Sequence, residues 1–151
     1  MTITTNLTDK TALVTGASSG IGRAVAKALA DAGCHVFINY PPAEGIEAAS
    51  SAQAEIIDNG GSASLAPANV SLESDVNNMF AKVFEYKNRL DILVNNAGIA
   101  RAAPIEEITL DDWKAIMEVH VTGTFLCTRA ALPIMYRQDY GRIINTASQL
   151  A

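Results

Sequence analysis

Gly16, Gly20 and Gly22 lie within the run Thr15-Gly16-Ala17-Ser18-Ser19-Gly20-Ile21-Gly22. A cluster of this kind can hold phosphate. Glycines let the backbone turn sharply and come close to a pyrophosphate. The same glycines would also suit an ordinary turn, so the context decides. Phosphate binding needs a strand before the turn and a helix after it, whose first N–H groups and positive dipole end meet the anion. The chain supplies both. Thr11 to Val14 reads as a short buried strand and Arg23 to Ala32 as an alanine-rich helix, with Gly33 as its C-cap. The spacing is G-x-x-x-G-x-G, which differs from the G-x-G-x-x-G of the best-known dinucleotide fingerprint.

The elements that must position this turn follow from the hydrophobic pattern. Strands are predicted at 11–15, 35–40, 62–66, 90–94 and 142–147, and helices near 20–32, 43–59, 73–87 and 110–137. Alternating strands and helices form a parallel sheet covered on both faces, an α/β fold in one domain. Ser71 is placed to cap the third helix, with Glu73 in its first turn. Thr109 and Asp112 form a capping-box pattern for the fourth, and Pro133 should kink that helix or mark its closing turn.

Composition narrows the function. The 151 residues are 49% hydrophobic and 18% charged, a globular balance. No stretch approaches the ~20 apolar residues of a membrane span. Met1 to Thr8 lacks the basic start and apolar run of a signal peptide, which points to the cytoplasm. A net charge of −5 argues against nucleic acid as a partner, since phosphate backbones call for clustered Lys and Arg. Cys34 and Cys127 have no metal-ligand spacing and are expected to be buried free thiols.

A second motif adds specificity. Leu90 to Val94 is an apolar strand ending in Asn95-Asn96-Ala97-Gly98. Together, TGASSGIG and NNAG resemble the short-chain dehydrogenase/reductase family, and the resemblance runs from about Lys10 to the last residue. It implies a Rossmann-type doubly wound parallel sheet, here truncated after the fifth strand, with a nicotinamide cofactor across the carboxyl ends of the strands. Carried over residue by residue, Gly16, Ser18, Ile21 and Gly22 would line the pyrophosphate, with Ser19 and Gly20 between them. Asn95, Ala97 and Gly98 would line the adenosine side and the floor, though Asn95 could equally tie its strand to a neighbour. Asn69-Val70 stands where relatives place an Asp-Val adenine contact, and Tyr40 closes the second strand among the cofactor contacts. That strand end, Ile38-Asn39-Tyr40-Pro41-Pro42, has neither the acid that selects NAD nor an Arg for NADP. Ser19 stands where phosphate-binding relatives carry a basic residue, and Arg23 is expected on the solvated face of its helix. Both cofactors, NAD and NADP, stay open.

For catalysis the resemblance implies an Asn, a Ser, and a Tyr followed by a Lys four residues on. Tyr is the general acid or base, and Lys lowers its pKa. Ser148 matches the substrate-positioning Ser after the fifth strand. His120 stands at the Asn position, where it could hold a water or only fill space; unlike an amide, imidazole changes charge near neutrality. The Tyr-Lys pair is absent: Tyr40, Tyr86, Tyr136 and Tyr140 meet Glu44, Leu90, Tyr140 and Ile144 four residues later.

The implied parent reaction is hydride transfer between NAD(P)H and a carbonyl or secondary alcohol. VTGASSGIG, FINY and NNAGI look most like the 3-oxoacyl-acyl-carrier-protein reductase and glucose 1-dehydrogenase branch. The expected partners are a small-molecule substrate and further copies in a homo-dimer or homo-tetramer. The 151-residue chain is expected to resemble an N-terminal part. The alternatives are a non-catalytic dinucleotide-binding fragment or a half that needs a complementary chain. The strand at 142–147 would then be an exposed sheet edge, with part of the fourth helix uncovered.

Overall fold

The computed structural model describes residues 5–43 and 45–148. The strands are β1 (Thr11–Val14), β2 (His35–Tyr40), β3 (Ser62–Pro67), β4 (Ile92–Asn95) and β5 (Arg142–Asn145). All pair in parallel, in the order β3-β2-β1-β4-β5. The helices are α1 (Gly20–Asp31), α2 (Ile46–Asp58), α3 (Glu73–Lys87), α4 (Leu110–Met117) and α5 (Gly123–Arg137). This is the Rossmann-type doubly wound sheet. Its order reverses between β1 and β4, the switch point at which ligands of open α/β sheets bind.

Strand alternation sorts the core into two layers. Ala12, Val14, Val36, Ile38, Ile92 and Val94 face α1 and α2, while Leu13, Phe37 and Leu93 face α3 and α5. Small residues let α1 lie close to the sheet, since it buries Gly22, Ala26 and Ala30 at intervals of four. α3 instead buries Val76, Met79, Phe80 and Val83, the i, i+3, i+4, i+7 stripe of an amphipathic helix.

Several expectations change at the edges. β4 starts at Ile92, while Asp91 just before it still bonds by backbone to Thr11 and Arg142, both at 2.8 Å, and its side chain enters a buried cluster. Its carboxylate accepts from Arg89 at 2.6 and 2.7 Å, from the Thr11 N–H at 2.9 Å and from Lys10 at 3.4 Å. Ser71 does not cap α3: Leu72 holds the cap position, and the Ser71 N–H and hydroxyl both donate to Asn69 Oδ1, closing a local turn. The capping box of Thr109 and Asp112 forms as expected. Pro133 lies inside α5, and the helix runs on to Arg137. The long helix expected over 110–137 runs from Leu110 to Arg137, with a π turn at Glu118–Thr122 that carries His120 inserted in it. Arg23, rather than being merely solvated, bridges α1 to Glu55 of α2 at 2.8 and 3.1 Å. Cys34 and Cys127 are buried and free, as expected.

β5 is the outer strand of the described sheet, and its Ile144 is exposed. On the neighbouring helices Leu126 is buried, whereas Trp113, Val121 and Phe125 are exposed.

Candidate functional site

Two chain segments meet at the switch point, the glycine-rich turn after β1 and the NNAG segment at the end of β4. Thr15, at the end of β1, donates its hydroxyl to the Val94 carbonyl at 3.3 Å. The same oxygen accepts the N–H groups of Asn96 and Ala97, both at 2.9 Å. Asn96 returns two bonds through Nδ2, to the carbonyls of Thr15 and Gly16 at 3.0 and 3.3 Å. The glycine-rich turn and the NNAG segment are therefore stitched into one unit. Close approach requires glycine here: a Cβ on Gly16 would lie 2.8 Å from Ala97 Cα, and one on Gly22 would run into the Gly16 carbonyl oxygen.

The N-terminal end of α1 is left open. Ser19 occupies the cap position without a side-chain cap bond, and the first turn of α1 has no acidic residue. The first N–H groups of a helix have no intrahelical partner, so those at its start stay available to an anion. Gly20 has φ +54°, and a Cβ there would meet nothing within 4 Å. The open space lies at Gly20, beside the helix-start donors. Ser18 lies on the α2 side of the turn: a Cβ on Gly45, which precedes α2, would come 3.8 Å from its hydroxyl and 3.9 Å from Tyr40.

The other expected residues divide into structural and site-facing groups. Asn95 takes the strand-tying role, donating to Thr128 Oγ1 at 3.1 Å and to Asn145 Oδ1 at 2.9 Å. Tyr40 is only 4% exposed and packs in the α1–α2 layer. Asn69 Oδ1 is engaged by Ser71, and the Asn69 N–H donates to Asp75 at 3.0 Å. Val70 is buried against the start of α5, where a Cβ on Gly123 would come 2.8 Å from its Cγ2. His120 faces the NNAG segment: a Cβ on Gly98 would lie 2.6 Å from its Cε1. Ser148 follows β5 at the carboxyl edge of the sheet, where Thr146 reaches Asn96 Oδ1 at 3.4 Å.

Two residues that hold the site were not singled out from sequence. Asn39 is 1% exposed and reaches both the glycine turn and the end of β3. Asn96 is the second amide of NNAG. Each is an amide near the end of an apolar strand, a place where a polar side chain must find partners to be buried. That signal was present. The partners, 23 to 81 positions away, were not.

A doubly wound sheet with a glycine-built, uncapped helix start at its switch point is an architecture suited to binding a nucleotide. Residues 10–151 match the short chain dehydrogenase family, and the chain belongs to it. It is 46% identical over 144 residues to a 3-oxoacyl-[acyl-carrier-protein] reductase of Synechocystis sp., covering 95% of this chain and 58% of that protein. It is 42% identical over 144 residues to a D-beta-hydroxybutyrate dehydrogenase of Cupriavidus necator, covering 94% and 54%. A crystal structure of a metagenomic short-chain oxidoreductase in complex with NADP superposes with a TM-score of 0.87 at 31% identity, covering 94% of this chain and 63% of that one. The chain thus spans between half and two thirds of the length of these relatives. The residues present fit a dinucleotide, because the uncapped α1 start and the open space above Gly20 suit a diphosphate.

Proposed function

We propose that this chain forms the dinucleotide-binding part of an NAD(P)-dependent oxidoreductase that moves a hydride between the nicotinamide and a carbonyl or secondary alcohol, with a 3-oxoacyl-acyl-carrier-protein reductase-like substrate. The observation that carries this reading is the joining of the Gly16–Gly22 turn to Asn96 and Ala97 beside an uncapped helix start. Gly16, Ser18, Ser19, Gly20, Ile21 and Gly22 would hold the pyrophosphate, and Asn69 and Val70 the adenine. Ala97 and Gly98 form the floor. The bound cofactor supplies or accepts the hydride. Ser148 orients the substrate oxygen, and His120 positions the segment after Gly98. NADP is favoured over NAD because the similar metagenomic short-chain oxidoreductase is in complex with NADP.

A second reading concerns the 151 residues by themselves, which contain no Tyr followed by a Lys at the fourth position. In that reading this polypeptide binds dinucleotide and turns it over poorly, because losing the general acid typically costs ~10²–10⁴-fold in rate. The test is steady-state reduction of a 3-oxoacyl thioester by mass-verified protein, beside a titration with NADPH and NADH. Binding without family-like turnover supports the second reading for this polypeptide. Binding with such turnover removes it, and absence of binding contradicts both.

A further inference from the structure

Asn39, at the end of β2, has its side chain committed on every polar atom. Its Oδ1 accepts the Gly16 N–H at 3.2 Å, and its Nδ2 donates to the carbonyls of Ala66 and Ala68, both at 3.0 Å. Its own carbonyl accepts the Ala17 N–H at 2.8 Å. An amide has one acceptor oxygen and two N–H hydrogens, so this set uses both ends of the group. The two ends meet different parts of the site. Gly16 opens the phosphate turn, and Ala68 leads directly into Asn69 and Val70, the adenine side.

We infer that Asn39 is a positioning residue for the dinucleotide: its buried amide fixes the phosphate turn against the β3 end, and coenzyme choice is not read by this side chain. The inference rests on the proposed dinucleotide site. A residue that reads the ribose must point outward, whereas Asn39 is 1% exposed and turned toward Met79, whose sulfur lies 3.4 Å from Nδ2. Asp in its place would keep an acceptor for Gly16 but would set a carboxylate against two carbonyl oxygens. It therefore misplaces the turn instead of selecting NAD. Losing an anchor that organises the site beforehand lowers affinity for every ligand sharing the adenosine diphosphate portion.

The experiment titrates NADPH, NADH and ADP into the wild type, Asn39→Ala and Asn39→Asp near neutral pH. Unfolding curves verify that each variant is folded. The expected result is an affinity loss of about 10- to 100-fold for all three ligands, with the NADPH-to-NADH ratio within about threefold of the wild type. A folded variant that binds like the wild type overturns the inference, and so does a gain of NADH over NADPH in Asn39→Asp. If the wild type binds no dinucleotide, the proposed function fails instead. In that case, or if the variants do not fold, amide exchange at Gly16 in the wild type decides. Protection in the free protein supports a turn fixed in advance. An unprotected Gly16, or protection that appears only with ADP, overturns the inference.

Discussion

Nε2 of His120 lies 2.8 Å from the carbonyl oxygen of Ile99 and 3.0 Å from its amide nitrogen. One ring nitrogen cannot donate to the first and accept from the second at once. The tautomer of the neutral ring selects the bond, and a protonated ring keeps only the one to the carbonyl. The π turn at Glu118–Thr122 carries the ring at this point of the helix, and insertions of this kind are frequent at functional sites. His120 therefore holds the chain as it leaves the NNAG segment.

His120→Ala is expected to speed amide exchange at Ile99 about tenfold, the loss of one modest hydrogen bond. Exchange measured by NMR on the folded variant checks this. An unchanged rate would mean that the ring does not accept from the Ile99 N–H and instead donates to the Ile99 carbonyl or only fills space beside Gly98.

Gly22→Ala places a Cβ against the Gly16 carbonyl and 2.5 Å from Asn96 Nδ2. Two backbone-anchored segments would have to move apart, at a cost of about 1–3 kcal/mol. Urea unfolding at equilibrium should show a lower midpoint with an unchanged slope. Wild-type stability in this variant would show that the turn is looser than these contacts imply.

Features governed by local chemistry were legible in the sequence. The glycine turn, the extent of α3 and the Thr109–Asp112 capping box depend on residues within a few positions of one another. Less was legible where a polar group has a choice of partners. Ser71 could cap a helix or bond to Asn69, and Asn69 won by being two residues away. The sequence pattern does not show that the Asp91 side chain is buried among Arg89, Lys10 and the Thr11 N–H, partners brought together by the sheet. The π turn has no hydrophobic signature, because Leu126, Cys127, Ala131 and Ile134 keep the apolar stripe of α5 beyond it.

Stability should fall on mild acidification. His35 is buried between β3 and Tyr86, and burial followed by the nearby Lys87 charge pushes its pKa down to about 4 from an ordinary 6.5. Above the ordinary value both folded and unfolded chains are neutral at this ring. Between the two values only the unfolded chain takes up the proton, so stability falls as pH drops from about 6.5 toward 4, by up to about 3 kcal/mol. Asp91 adds a second loss at lower pH. Burial alone would raise its carboxyl, but Arg89, the Thr11 N–H and Lys10 hold it below the usual range. Its contribution is present above the ordinary carboxylate pKa and is lost as pH falls through the lower folded value. Urea titrations from neutral pH downward should show the first loss in the wild type and a clearly smaller one in His35→Gln. Equal losses in both would assign the effect elsewhere.

Burial pushes the thiols of Cys34 and Cys127 up to about 12. Since the thiolate is the reacting form, the native protein should show no fast thiol toward a disulfide reagent, and both should react in denaturant. A rapid stoichiometric thiol in the native state would contradict the burial of one of these elements.

In the proposed function the helix start at Gly20 receives the phosphates of a nicotinamide dinucleotide. Titration calorimetry of NADPH against the wild type and Gly20→Val tests it most directly. Val adds a branched side chain at φ +54° in space that is otherwise open, so binding should be seen in the wild type and lost in a variant that still unfolds cooperatively. Equal affinity in the two proteins would contradict the account.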